Sequence, residues 1–342
     1  MNDKSSHCPT GACPRSKNHD DGHISLSEGS GGREMHALLD IIRERLPNTG
    51  NWEHIGDDGA THEGGDGRIV FTTDAYVVTP IFFPGGDIGK IAFCGTVNDL
   101  AVMGAEPIGL SLSLVIEEGL PKRDLFTVID SIAKLSEETG IPIVTGDTKV
   151  VERGGVDRII IHTSGIGKTK HVLDEPVRPG DRLIVSGGLG EHGTALMATR
   201  YELETDIETD SKPLVEEIRA IAPHIRQARD ITRGGLATIA NEMREKSDLG
   251  LTLIEEHIPL RDEVRAITEL LGIDAYSLAS EGRFACVVAP ESASQVIETL
   301  RTFNPLAADI GEFSEGDSVI VETLFGKRIL GMPGGVLVPR IC

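Results

Sequence analysis

Six aspartates in this chain stand where a carboxylate is a poor structural choice. Asp57 and Asp58 lie in "GDDGA", Asp74 interrupts "VFTTDAYVV", and Asp99 follows Asn98 inside the apolar run "IGKIAFCGTVNDLAVMGA". Asp147 follows Gly146 at the end of "IPIVTGD", with Lys149 two residues on, and Asp230 lies in "ARDITRGG". A carboxylate inside an apolar element is costly unless it is paired or bound to metal. Several that converge would form an oxygen cage for Mg²⁺, which in turn holds polyphosphate. Lys149 has the charge to neutralise a phosphoryl group in transfer. The glycine-rich "GSGGRE" (29–34), with Gly31 and Gly32, offers backbone N–H groups that can close over phosphates. Together these residues point to a nucleotide site.

The last four residues, "PRIC", raise a second chemistry. A thiolate is a strong nucleophile, and Cys342 ends a segment with no partner pattern after Gly331. Gly334 and Gly335 read as a hinge, and the nine residues from Gly334 reach roughly 30 Å if extended. Such an arm could carry the thiol into a distant pocket. The plainer reading is a tail that adds a strand to a sheet edge, with Cys342 idle. A decoy lies at Gly188-x-Gly190-x-x-Gly193, which matches the dinucleotide fingerprint. The surrounding region lacks repeating βαβ units, so we read it as a tight turn that brings His192 toward a cleft.

These residues need a scaffold. Alternation predicts strands over 68–78, 108–117, 141–151 and 158–167, with a buried helix at 88–105 and an amphipathic helix at 122–140 that stops on Gly140. The turn "VRPGD" (177–181) marks a boundary. Beyond it come predicted strands at 181–187, 249–256, 284–290 and 318–323, with helices at 235–246, 261–272 and 291–303. The mixed order predicts α+β layering, not a doubly wound parallel sheet. The expected divisions are a disordered extension (1–27), a first, nucleotide-binding domain (28–172), to which the resemblance given below adds ATP and dimerisation, a second α+β domain (173–328) and a mobile tail (329–342).

A net charge of −21 repels phosphate backbones and anionic lipid, so nucleic acid and membrane surfaces are poor partners. No apolar run approaches a membrane span, and the N-terminus lacks the apolar core of a secretory signal. The five cysteines are scattered as Cys8, Cys13, Cys94, Cys286 and Cys342, which is no disulfide framework. A reducing compartment, the cytoplasm, is expected. Cys8 and Cys13, with His7, His19 and His23 nearby, do not have the spacing of a standard zinc knuckle.

The motifs "GDDGA", "FTTDAYVVTPIFFPGGDIGKIAFCGTVNDLAVMGAEP", "IVTGDTKVVERG", "DITRGG", "ASEGR" and "PRIC" together resemble the HypE family of hydrogenase maturation proteins. The resemblance runs from about Gly29 to Cys342. "GDDGA" or "GDTK" alone would suggest only the wider ATP-dependent superfamily of aminoimidazole ribonucleotide synthetase, selenophosphate synthetase and thiamine-monophosphate kinase. The resemblance implies a two-domain α+β fold of the aminoimidazole ribonucleotide synthetase type, in a homodimer whose N-terminal sheets join into a barrel. It implies a carbamoyl dehydratase using ATP and Mg²⁺. A carbamoyltransferase, HypF, would load Cys342. The product thiocyanate would pass cyanide to a HypC–HypD complex for the iron of a [NiFe] hydrogenase. Carried onto this sequence, Asp58, Asp74, Asp99, Asp147 and Asp230 would hold metal. Gly31, Gly32, Asn98, Thr145, Gly146, Thr148 and Lys149 would join them around the nucleotide. Glu281 in "ASEGR" and His192 in "GEHG" are the candidate bases. A small-molecule synthetase or kinase of the same superfamily, or a non-catalytic scaffold, are the competing readings.

Overall fold

The computed structural model describes residues 24–46, 50–335, 338 and 341–342. Cys8, Cys13 and the three histidines near them lie outside the described residues, as does most of the expected N-terminal extension.

The first domain begins with helix α1 (Arg33–Arg45), then strands β1 (Ala60–Glu63) and β2 (Arg68–Tyr76) and a short hairpin, β3 (Phe82–Phe83) and β4 (Gly86–Asp87). Helix α2 (Ile88–Val102), β5 (Glu106–Glu117), α3 (Lys122–Thr139), β6 (Ile143–Val151) and β7 (Ile159–Thr169) follow. The five long strands form one sheet, ordered β1-β2-β7-β5-β6, with β5 and β6 parallel and the other pairs antiparallel. The second domain contains β8 (Arg182–Val185), α4 (Glu191–Arg200), α5 (Val215–Ile221), β9 (Ile225–Asp230), α6 (Gly235–Ser247) and β10 (Gly250–Ile254). It continues through α7 (Asp262–Leu271), β11 (Phe284–Val288), α8 (Pro290–Arg301), β12 (Ala308–Ser314), β13 (Val319–Thr323) and β14 (Gly326–Ile329). Its seven strands run β14-β13-β10-β12-β8-β11-β9, again mixed. This is the α+β layering expected from the order of patterns.

Helix α2 explains how the domains meet. Asp87 caps it, accepting N–H bonds from Gly89 at 2.7 Å and Lys90 at 3.1 Å. Its apolar residues have no single face because it is enclosed on nearly every side. One side packs on β2 and β7, and others meet α3, α5 and β9 of the second domain. Along β2, Val70, Thr72 and Tyr76 are buried toward α2, while Phe71, Thr73 and Ala75 point the other way and are exposed. That other sheet face, with Phe71 and Ile166 exposed, has no covering layer among the described residues.

The segment after β14 differs from expectation. Leu330, Val338 and Ile341 are all buried. The Leu330 N–H donates to Val319 O at 2.8 Å, Arg33 N–H donates to Pro333 O at 3.2 Å, and Gly335 N–H donates to Glu34 at 3.3 Å. The tail is therefore docked across α1 and into the groove between the domains. Ile24 to Ser27, placed in the disordered extension by pattern, instead lead into a 3-10 turn over Leu26–Gly29. Pattern missed α1, α5, β1, β3, β4, β9, β12 and β14 altogether.

Candidate active site

Five of the six aspartates do converge. Asp57, Asp58, Asp74, Asp99 and Asp230 line one cavity of about 690 Å³ between the domains, roofed by Met35, His36 and Leu39 of α1. Asp58 comes from the turn before β1, Asp74 from β2, Asp99 from α2 and Asp230 from the end of β9. Asp57 and Asp58 also pair with Arg229, at 2.5 and 2.9 Å, and Lys246 meets Asp57 at 2.5 Å. Asp58 Oδ2 is buried with no hydrogen-bond partner. Thr72 donates to Asp99 at 2.6 Å, and the Tyr76 hydroxyl donates to Asp74 at 3.1 Å.

The electrostatics call for a cation. Burial pushes the Asp99 carboxyl well above the usual range, and Asp74, Asp230 and Asp58 add to the push. Burial does the same to Asp230, helped by Asp58, Glu281 and Asp74. Such a set is unfavourable when ionised unless positive charge enters. No three carboxylates form a ready-made ligand group among the described residues. Carboxylate oxygens are the donor type that Mg²⁺ takes, with water completing its shell.

A second, smaller cavity of about 350 Å³ adjoins the first. Cys342, Ile341, Val338, Ala75 and the segment 24–30 line it. The Cys342 thiol is pushed well above its ordinary value by burial and by Glu281, while Arg233 pulls it down. Glu281 is fully enclosed between β11 and the preceding 3-10 turn, and one of its oxygens, Oε1, has no partner. Burial, with Asp210 beside it, raises its carboxyl to about 8. Asp210 Oδ1 accepts the Glu281 N–H at 2.8 Å, which fixes the backbone that carries this group.

The remaining sequence candidates fall elsewhere. Thr145, Gly146, Asp147, Thr148 and Lys149 lie on β6, an exposed edge strand. Asp147 pairs in register with Ser113, which pairs with His162, which pairs with Ala75. That places Asp147 and Lys149 on the open sheet face, three strands or about 14 Å from β2. Asp74 faces the opposite side. A single chain thus does not bring Asp147 or Lys149 to the acid cavity. The amide of Asn98 is spent on backbone: it donates to Lys212 O and Glu281 O and accepts from Leu214 N–H. It ties the domains together rather than facing the cavity. Gly31 and Gly32 adopt positive φ at the start of α1, and a Cβ on Gly32 would stand 2.4 Å from Pro333 O. The first helical N–H, of Arg33, is occupied by the tail and not left for phosphate.

His192 is engaged through both ring nitrogens. Its Nε2–H donates to Ile341 O at 2.8 Å, and Nδ1 accepts from the Thr209 hydroxyl at 2.8 Å. Burial holds the ring below its usual value, hence neutral. With both nitrogens engaged it has no free lone pair for the thiol's cargo. In this docked state it anchors the tail, while Oε1 of Glu281 stands without a hydrogen-bond partner. Sequence reading missed Arg229, Arg233, Asp210 and Tyr76. "DITRGG" and "TDSKP" contain two of them, but nothing local in those runs marks a buried charge.

Two apposed α+β domains around an acid-lined cavity are the arrangement that the comparisons with known proteins place in the AIR synthase related family. The sequence model of the AIR synthase related protein N-terminal domain matches residues 56–169, and that of its C-terminal domain matches 178–323. The carbamoyl dehydratase HypE of Rhizobium leguminosarum bv. viciae is 44% identical over 337 residues, 94% of this chain and 95% of its own. A crystal structure of a HypE–HypF complex superposes with a TM-score of 0.80 at 38% identity, covering 86% of this chain and 99% of that one. A hydrogenase maturation protein HypE in complex with ATP gives 0.78 at 37%, covering 93% and 99%. This chain belongs to the HypE family of carbamoyl dehydratases.

Proposed function

We propose that this chain uses ATP to dehydrate an S-carbamoyl group on its own Cys342, leaving a thiocyanate. The observation that carries the reading is the docked tail: the thiol of Cys342 sits beside Glu281, in a cavity that adjoins the acid-lined one. ATP occupies the acid cavity. Mg²⁺ held by Asp58, Asp74, Asp99 and Asp230 would offset the charge of its phosphates.

The chemistry then needs two steps. An amide oxygen is a very poor leaving group, so it must first take the γ-phosphoryl group. Its oxygen attacks phosphorus, the bond to the β-phosphate breaks, and ADP leaves with the electron pair. Glu281 removes one N–H proton, giving an S-linked imidate phosphate. Loss of the second N–H proton then expels phosphate by breaking the C–O bond, and S–C≡N remains. Glu281 suits this work because its raised affinity for protons brings it near neutrality. His192 holds the Ile341 carbonyl, and Ile341 and Val338 close the groove against water.

The nine-residue arm explains the partners. A carbamoyltransferase of the HypF type loads the thiol with the arm out. After dehydration the arm presents the cyanide to an iron-assembly complex of the HypC–HypD type, for a [NiFe] hydrogenase. The cytoplasm suits a reduced thiol, and no helix among the described residues is long and apolar enough to cross a membrane. A homodimer formed on the open face of the five-stranded sheet would cover Phe71 and Ile166. It would also bring Asp147 and Lys149 of a second copy toward the nucleotide.

Weighing the C-terminal peptide tests the reading. Carbamoylated chain incubated with MgATP should lose one water from that peptide; an unchanged mass contradicts dehydration. Lys149→Ala and Glu281→Gln chains should each be inactive alone. Mixed and reannealed, they should recover roughly a quarter of wild-type turnover, because half the dimers then hold one intact site. No recovery means that Lys149 does not act across a dimer.

A further inference from the structure

We infer that Arg233 is the cation that meets the phosphoryl group as it crosses from the nucleotide to the carbamoyl oxygen on Cys342. This rests on the dehydratase reading above. Among the described residues Arg233 is the one side chain that lines both cavities. It therefore borders both the space assigned to the nucleotide and the space that holds the thiol.

Its hydrogen bonding leaves it ready. The other cations near the acids are engaged: Arg229 with Asp57 and Asp58, Lys246 with Asp57, and Arg43 with Asp40. Arg233 has no carboxylate partner among the described residues and donates through Nη1 to Gly29 O at 3.3 Å. An arginine has five N–H donors in a planar fork that matches phosphate oxygens. Asp74, Glu281 and the Cys342 thiol surround it and favour its charged form.

The loop also fixes its place. Arg233 lies between Asp230, the last residue of β9, and Gly235, the first of α6. Gly235 has a φ of 58°, and a Cβ there would stand 2.5 Å from Leu278 O. The Arg233 carbonyl is packed on Gly31, where a Cβ would come within 3.0 Å. Backbone contacts on both sides therefore fix the loop that carries the side chain, and the bond to Gly29 O holds the guanidinium beside the two cavities. In the transfer the P–O bond to ADP breaks and the bond to the carbamoyl oxygen forms. Negative charge spreads over the phosphoryl oxygens between the two cavities, where the guanidinium stands.

The test uses full-length carbamoylated protein in single turnover. Arg233→Ala should slow dehydration by roughly 10²–10³-fold. Its affinity for MgATP and the carbamoyl loading of Cys342 should each stay within about threefold of wild type. Millimolar guanidinium should restore part of the rate to Arg233→Ala and nothing to wild type. Arg233→Lys should retain part of the activity, and Arg233→Gln, which keeps the polar stem, serves as the check on folding. Dehydration by Arg233→Ala within threefold of wild type overturns the assignment. So does a loss of ATP affinity as large as the loss of rate, since the residue would then bind nucleotide only. Absence of guanidinium rescue in folded protein assigns the arginine to loop structure and also overturns it. If wild type itself loses no water, the dehydratase reading fails first and this inference falls with it.

Discussion

Cys342→Ser should accept no carbamoyl group and yield no thiocyanate, with both signals at background. The hydroxyl has a far higher pKa than a thiol and is a much weaker nucleophile without an activating base. The loss should not come from misfolding. Cys342 is only partly buried, at the edge of a cluster that includes Tyr76, Leu278, Ala279 and Ile341. Serine is nearly isosteric, and its hydroxyl can donate to Glu281. Thermal unfolding and MgATP binding should stay close to wild type. One glycine added after Cys342 is the sharper variant. Ile341 and Cys342 already occupy the inner end of the groove, held by His192. Loading, which occurs with the arm out, should be largely retained, while dehydration should fall steeply. Full dehydration by the extended chain would contradict the docked tail as the reactive state.

Glu281→Gln should slow dehydration by about 10²–10⁴-fold, the usual worth of a general base. It should also make the nucleotide-free protein more stable at alkaline pH. The folded carboxyl titrates near 8, against 4.5 for the ordinary glutamate. Between those values the folded chain keeps a proton that the unfolded chain releases. Wild-type stability therefore falls as pH rises from about 4.5 to 8, and glutamine has no such loss. The thermal midpoint of the variant should pull ahead of wild type across that window and hold its lead above it. Midpoints that run parallel from pH 5 to 9 would mean that Glu281 is not a raised carboxyl. Normal thiocyanate yield from the variant would remove it as the base.

The acids of the cavity were legible because their cost was. An aspartate inside a buried helix or a strand's buried face demands a ligand or partner, and Asp74 and Asp99 could be read on that ground alone. Helix α2 was equally legible, since a largely apolar run bounded by Asp87 and Gly104 admits few other readings. The failures share a cause. Whether Asp147 faces the same side of the sheet as Asp74 depends on registers across β7 and β5, which no single strand records. The tail's partners lie some 300 residues away, in Arg33 and Glu34. A Gly- and Pro-rich segment has no periodicity to announce such docking. Arg233 could not be singled out because its importance comes from standing between two cavities that exist only once both domains have met. His192 could be read from "GEHG" only as a candidate base; its hydrogen bonds to Ile341 O and Thr209 depend on the docked tail and on a loop that the motif does not record.

The most direct measurement follows one oxygen atom. Cys342 is loaded with carbamoyl labelled with ¹⁸O, MgATP is added for a single turnover, and the inorganic phosphate is examined by mass spectrometry. Transfer of the phosphoryl group onto the carbamoyl oxygen, followed by C–O cleavage, requires the label to appear in phosphate, one atom for each thiocyanate formed. Unlabelled phosphate, with ¹⁸O released as water or retained on the sulfur adduct, would contradict phosphorylation of the carbamoyl group.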